Sequence, residues 1–223
     1  MKTCVIIPTY NESKSIAEII SLLHQQNLEV VIVDDGSSDD TAEIAGQSNA
    51  AVIRNPQNQG KGAALIKGFE YALSKGFEAV ITMDGDGQHL PKNADSFIRI
   101  AQDSKSQLLI GNRMQMPSGM PLIRQLTNRL MSWFISALIK QKVPDTQCGF
   151  RLIKKNLLKQ LKLNTNRYET ETEILIKTAR LGYQIKSIPI ESIYRHEKSQ
   201  INPLVDTYRF IRFIIKEKSK KEN

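Results

Sequence analysis

The sequence predicts an α/β fold: a mostly parallel sheet with helices on both faces. Short, wholly apolar runs alternate with stretches of helical period, the pattern of successive βαβ units. Those runs lack the in–out alternation of a half-exposed strand, as strands covered on both faces do. Polar clusters containing Gly or Pro follow several of them, in the region where such sheets bind ligands, beyond the carboxyl ends of the strands.

Thr3 to Ile7 and Val30 to Val33 are continuous apolar runs and predict two buried strands. Between them Ile16, Ile19, Ile20 and Leu23 recur at i, i+3, i+4 and i+7, one face of a helix that Asn11 or Ser13 is placed to cap. Asp39 or Asp40 is placed to cap the next helix, and Ala51 to Ile53 predicts a third strand. Leu65, Ile66, Phe69, Ala72 and Leu73 mark a second amphipathic helix, ended by Gly76. Strands follow over Glu78 to Met83 and Gln107 to Ile110. The second half is less regular: a long helix over about Leu122 to Lys140, a helix from Glu171 to Leu181, and a strand from Ile185 to Ile190. No repeat or dividing linker interrupts the chain, so one domain over 1–202 is expected. A basic amphipathic helix and tail over 203–223 follow, ending in Lys216, Lys218, Lys220 and Lys221.

The chain has 223 residues, 40% hydrophobic and 24% charged, with a formal net charge of +8. That composition is globular, and the charge favours an anionic partner. Nucleic acid is not the expected one, because no zinc-finger spacing and no aromatic RNP segment accompany the basic residues. The two cysteines, Cys4 and Cys148, have neither metal-ligand nor disulfide-framework spacing, and Cys4 reads as a small buried hydrophobe in a reducing compartment. No signal-peptide core and no run of about 20 apolar residues is present. The expected location is cytoplasmic.

Asp84 and Asp86 are separated only by glycine, in T-M-D-G-D-G-Q-H directly after an apolar run. Two carboxylates in a turn suit a hard divalent cation, Mg²⁺ or Mn²⁺, which takes oxygen ligands and is completed by substrate phosphates. V-D-D-G-S-S-D-D-T places Asp34 and Asp35 at a strand end, with Asp35 able to accept from a nucleobase edge. N-Q-G-K-G at Asn58 to Gly62 lacks P-loop spacing and reads as a helix start whose N–H groups, with Lys61, could meet an anion. His89 is either a further metal ligand or structural, whereas His24 and His196 have no partner at ligand spacing.

In order, I-P-T-Y-N-E, V-D-D-G-S-S-D-D-T, N-Q-G-K-G, M-D-G-D-G-Q-H-L-P, G-N-R and D-T-Q-C-G-F-R resemble the family 2 glycosyltransferases. The chain is most similar to their dolichol-phosphate mannosyltransferase and polyprenyl-phosphate glycosyltransferase branch, over about Thr3 to Pro203. The resemblance implies a GT-A catalytic domain that transfers a hexose, with inversion, from a GDP- or UDP-linked donor to a polyprenyl phosphate. A soluble glycan or protein acceptor, or nucleotidyl transfer, is the alternative. It implies Pro8, Tyr10, Glu12 and Asp35 around the nucleoside, Asp84, Asp86 and Gln88 on the metal and diphosphate, and Arg195 and Lys198 in a late loop over the donor. Arg113 and Arg124 match acceptor-phosphate positions, and Asp145 and Arg151 form either an ion pair or a substrate contact. Gly85 and Gly87 stand where many relatives carry Ala and Leu, and Asn128 where serine is frequent.

A lipid acceptor implies work at a membrane surface, peripherally on the cytoplasmic face. Leu130 to Ile139 is apolar nearly all round. It is either an ordinary core helix or an interfacial one buried about 5–10 Å into the headgroups, with Trp133 and Phe134 at the boundary. The tail, with Leu204, Tyr208, Ile211 and Ile215 in helical register, either lies on anionic lipid or packs back on the domain.

Overall fold

The computed structural model describes residues 1–117, 119–194, 209 and 212–214. Arg195 and Lys198, expected over the donor, lie outside these residues, as do Leu204, Tyr208, Ile211 and Ile215 of the tail. The first half runs β1 (Thr3–Thr9), α1 (Ile16–His24), β2 (Glu29–Asp34), α2 (Thr41–Gln47), β3 (Ala51–Arg54), α3 (Lys61–Ser74) and β4 (Ala79–Thr82). The second runs α4 (Asn93–Asp103), β5 (Leu108–Asn112), a 3-10 turn (Arg113–Gln115), α5 (Leu122–Ile139), β6 (Arg151–Lys154), α6 (Lys155–Leu158), α7 (Glu169–Arg180) and β7 (Ile185–Pro189).

The strands form one seven-stranded sheet in the order β3-β2-β1-β4-β6-β5-β7. All run the same way except β6, which pairs antiparallel with both β4 and β5. Every residue of β4 and β5 is buried, as are Cys4 to Ile7 and Val30 to Val33. Successive strand residues face opposite sides, so unbroken burial means that both faces of the central strands are covered. Helix α3 lies against β1 and β2, and Gly68 permits this: a Cβ there would stand 2.5 Å from Ile6 Cγ2. Strand β6 was not expected. Its sequence is only R-L-I-K, and Arg151 is buried in it with Nε donating to the Cys148 carbonyl, Nη2 to Thr146 and Nη1 to Glu171.

Helix α5 has two faces. Asn128, Ser132, Ile135 and Ile139 are buried, and Ser132 Oγ accepts from the Thr146 backbone at 2.9 Å. On the other side Leu122, Ile123, Leu126, Leu130 and Trp133 are 62–81% exposed. At about 100° per residue these five fall within roughly one 100° arc. The outward apolar surface thus begins two turns earlier than expected, and it includes Trp133 but not Phe134, which packs against the core. In the tail, Phe213 and Ile214 are helical and buried in the main core while Arg212 is exposed. Among the described residues no helix is long and apolar enough to cross a membrane.

Candidate active site at the carboxyl ends of the central strands

The sheet order reverses between β1 and β4, and the carboxyl edge of that switch point is where an open α/β sheet binds ligands. The Asp84-Gly85-Asp86 turn leaves β4 there. Asp86 Oδ1 accepts from the Gln88 N–H at 2.9 Å, and Gly87 adopts φ +74°, which a side chain would disfavour. Glu12, following β1, lies alongside: a Cβ on Gly85 would come within 3.4 Å of Glu12 Cγ and 3.1 Å of Thr9 Cγ2.

The Asp84 carboxylate is held from two sides. In front, Lys61 Nζ lies 2.5 Å from its Oδ1 and 3.1 Å from Glu171 Oε1 on α7. Behind it passes the backbone of Gly149, where a Cβ would stand 2.7–3.0 Å from the Asp84 carboxylate atoms. Burial would raise the Asp84 carboxyl, but the Lys61 ammonium outweighs it and holds the group well below the usual carboxylate range. Lys61 was expected to join free N–H groups in meeting an outside anion. Its anions in this structure are the protein's own, and the Ala63 N–H of that helix start donates to the Asn166 carbonyl at 3.0 Å. Glu171 gave no signal in the sequence, and Gly149 gave one only as part of D-T-Q-C-G-F-R; neither could be tied to Asp84, because both lie far from it along the chain.

His89 is structural. It is 2% exposed, its Nδ1 accepts from the Asp84 N–H at 3.4 Å, and its Nε2 faces Cys148 Sγ at 3.9 Å. Burial lowers its pKa to about 4 and pushes the Cys148 thiol up to about 12, so both stay neutral near pH 7. Cys4 is likewise buried, with a thiol raised to about 12.

The first two motifs are laced together. The Asn11 N–H donates to Ser37 Oγ, and Asn11 Oδ1 accepts from the Ser38 N–H, both at 2.9 Å, with Asn11 at φ +59°. The residue before α1 is Ser15, so neither Asn11 nor Ser13 caps that helix. Pro8 lies inside β1 opposite Val33, and Thr9, Asp34 and Arg54 align across β1, β2 and β3. Tyr10 follows directly. Asp34 is fully buried against Arg54 Nε at 3.3 Å and the Ser37 hydroxyl. Asp35 accepts from Asn55 Nδ2 (2.7 Å) and from the N–H groups of Gln59 (2.9 Å) and Gly60 (2.7 Å). A carboxylate has about four lone-pair sites. Asp35 therefore orders the 55–60 loop first and keeps about one site for a ligand.

On the opposite flank, Arg113 is buried and paired with Asp145, Nε at 2.7 Å and Nη2 at 3.0 Å. Of the two readings of Asp145 and Arg151, an ion pair or a substrate contact, the mutual ion pair is not formed: Arg151 serves backbone carbonyls. Gly111 lets this segment close on the D-T-Q-C-G-F-R loop: a Cβ there would stand 2.8 Å from Cys148 Sγ. Arg124 is exposed on α5, with its guanidinium 5.4 Å from the centre of the Tyr194 ring. Among the described residues, Asn128 Nδ2 and Tyr194 Oη are buried atoms without hydrogen-bond partners. An open cleft of about 690 Å³ lies beside Tyr194, lined by Leu90, Met116, Pro117 and Ile193 among others.

The donor set fits a hard divalent cation. Asp84 already carries a cationic group, Asp86 and Gln88 share its turn, and all supply oxygen. Among the described residues no group of three or more His, Cys, Asp or Glu side chains could hold a metal. Phosphate oxygens and water would have to complete the shell, the usual arrangement for Mg²⁺.

Residues 4–162 match the family profile described as Glycosyl transferase family 2. The UDP-N-acetylglucosamine–dolichyl-phosphate N-acetylglucosaminyltransferase of Methanococcus voltae is 35% identical over 214 residues, spanning 85% of each chain. The undecaprenyl-phosphate mannosyltransferase of Micrococcus luteus is 27% identical over 209 residues, covering 87% of this chain and 85% of that one. Among solved structures, glucosyl-3-phosphoglycerate synthase from Mycobacterium tuberculosis with Mn²⁺, UDP and phosphoglyceric acid superposes with a TM-score of 0.74 at 22% identity. That match covers 96% of this chain and 76% of the other, and shows a shared fold. With its residues 4–162 matched and the reversed sheet carrying its paired aspartates, the chain belongs to glycosyl transferase family 2 and has the GT-A fold.

Proposed function

We propose that this enzyme transfers a hexose, with inversion, from a UDP- or GDP-linked donor to a polyprenyl phosphate at the membrane surface. The relatives named for dolichyl- and undecaprenyl-phosphate transfer support the acceptor class. The single observation that carries the lipid reading is the outward stripe of α5, Leu122, Ile123, Leu126, Leu130 and Trp133. A soluble acceptor gives no reason for five large apolar side chains on one exposed helix face. A contiguous exposed apolar patch marks an interaction surface, and tryptophan suits the headgroup boundary. Exposed Arg129 borders the stripe, where anionic headgroups would meet it. We place the protein peripherally, on the cytoplasmic face.

In this reading Pro8, Tyr10, Glu12 and Asp35 receive the nucleoside, and Asp84, Asp86 and Gln88 would hold Mg²⁺ or Mn²⁺ beside the donor diphosphate. A cation held there would supply charge neutralisation for the departing nucleoside diphosphate. Arg195 and Lys198, outside the described residues, are assigned to the donor diphosphate. Arg124, over the ring of Tyr194 that lines the cleft, receives the acceptor phosphate, with Asn128 Nδ2 and Tyr194 Oη as uncommitted polar groups on that flank. Arg113, neutralised by its buried pairing with Asp145, orders the D-T-Q-C-G-F-R loop beside this region. The attacking phosphate oxygen is already ionised at neutral pH, so these residues need only align it behind the anomeric carbon; no strong base is required.

The test is incubation of the purified protein with radiolabelled UDP- and GDP-sugars, polyprenyl phosphate and Mn²⁺. Lipid-extractable label from at least one donor is expected. No label across the panel overturns the proposal, and pyrophosphate release from a sugar phosphate plus nucleoside triphosphate would favour nucleotidyl transfer.

A further inference from the structure

Lys61 is placed too firmly, and too near a metal-site carboxylate, to be a casual ion pair. Its backbone opens α3, and that helix start is fixed against the approach to α7. The Ala63 N–H donates to Asn166, and a Cβ at Gly60 or Gly62 would collide with Asn166 O at 2.4 Å or Thr170 Oγ1 at 1.9 Å. With the backbone fixed, the two carboxylates hold the ammonium between Asp84 Oδ1 at 2.5 Å and Glu171 Oε1 at 3.1 Å. Asp84 has little freedom to retreat, because Gly149 backs it. An ammonium is the ordinary form of lysine at neutral pH, and two carboxylates flank it here.

We propose that Lys61 is an internal counter-cation that occupies Asp84 until a nucleoside diphosphate arrives, so that divalent metal and donor bind together rather than metal first. The inference rests on the proposed use of a diphosphate donor and adds the order in which the site fills. A divalent ion reaching Asp84 in the empty site meets an ammonium already there, and like charges repel at contact distance. A diphosphate changes the balance by offering the ammonium new oxygens. The flexible lysine stem with its three donors can turn to a phosphate while keeping Glu171, which frees Asp84 Oδ1. Glu171 is thus the pivot, and Lys61 is a positioning residue toward both cation and donor.

Mn²⁺ binding measured by electron paramagnetic resonance or calorimetry, with no acceptor or turnover, tests this. The quantity of interest is the ratio of Mn²⁺ affinities with and without saturating UDP or GDP, whichever binds. In the wild type that ratio should be large. In Lys61→Met, Mn²⁺ alone should bind at least tenfold tighter than in the wild type, and the ratio should shrink by tenfold or more. A lysine that merely adds positive charge nearby would weaken both affinities alike and leave the ratio unchanged, and that result overturns the proposal. Lys61→Gln, which keeps a hydrogen-bond donor toward Asp84, provides the same measurement if the methionine variant fails to fold. The readout is independent of the acceptor: a negative transfer panel with a shrunken ratio would sink lipid glycosylation and leave the counter-cation standing. A positive panel with an unchanged ratio would do the reverse.

Discussion

Replacing Gly149 by alanine adds one methyl group, yet it acts directly on the carboxylate expected to hold the metal. Gly149 is not among the glycines with left-handed φ, so alanine meets no backbone strain and the effect comes from contact alone. The added Cβ would stand 2.7 Å from Asp84 Oδ2 and 2.8 Å from Oδ1, where ordinary contact begins at 3.4 Å. A shift of about 0.7 Å is needed, a fraction of the roughly 1 Å misplacement that can cost 10²-fold in rate. The backbone is the less able to move: Thr82 Oγ1 donates to the Gly149 carbonyl at 2.8 Å, and Cys148 and Phe150 on either side are fully buried. The Asp84 side chain, 28% exposed, is the part that yields. We expect a loss of about 1–3 kcal/mol in stability, the usual cost of overpacking, and a fall in turnover of up to about 10²-fold. Sugar transfer and denaturant unfolding are measured on the same preparation. A variant that transfers sugar at the wild-type rate would refute the claim that Gly149 fixes the Asp84 carboxylate.

Three further outcomes are expected. Asp86→Ala should lower turnover by about 10²-fold or more and abolish the Mn²⁺ dependence of donor binding; wild-type activity persisting in excess EDTA would contradict it. Leu126→Glu with Trp133→Glu should release the protein from anionic liposomes without lowering its melting temperature, since both side chains face outward; loss of one buried large apolar side chain is worth about 1.5 kcal/mol, roughly tenfold in partitioning. Unchanged sedimentation with such liposomes would remove α5 from the membrane. Burial lowers the His89 pKa from the ordinary 6.5 to about 4 in the folded chain, so the unfolded chain binds the extra proton between those values. Its contribution to stability is complete above pH 6.5 and is lost as pH falls toward 4, about 2 kcal/mol between pH 7 and pH 5. Unfolding curves at those two pH values should show that slope, and His89→Asn should flatten it.

The α/β alternation was legible because strands β1 to β5 are short, apolar and separated by turn-rich clusters. The placement of Asp84 and Asp86 beyond a strand end followed from the same pattern. Strand β6 was hidden because two apolar residues between basic ones carry no period, and its reversed direction depends on the chain returning between β4 and β5. The pairings within the site were also out of reach. Arg113 with Asp145, and Lys61 with both Asp84 and Glu171, are set by how loops meet, and any of several acids would have satisfied the spacing. Helix α5 was legible only in part, because an apolar run from Leu130 to Ile139 suits a core helix and an interfacial one alike. Leu122, Ile123, Leu126, Leu130 and Trp133 share one arc in the sequence, but a single apolar arc normally faces the core. Only the buried Asn128 and Ser132, polar residues on the inner side beside the D-T-Q-C-G-F-R loop, show that the usual orientation is reversed.

The most direct test is mass spectrometry of the products formed when polyprenyl phosphate and 3-phosphoglycerate compete for one nucleotide-sugar in one tube. The account predicts that the lipid gains one hexosyl unit on its retained phosphate, with one nucleoside diphosphate released per sugar transferred. Sugar found only on the soluble acceptor, or a nucleotide attached to the lipid, would contradict it.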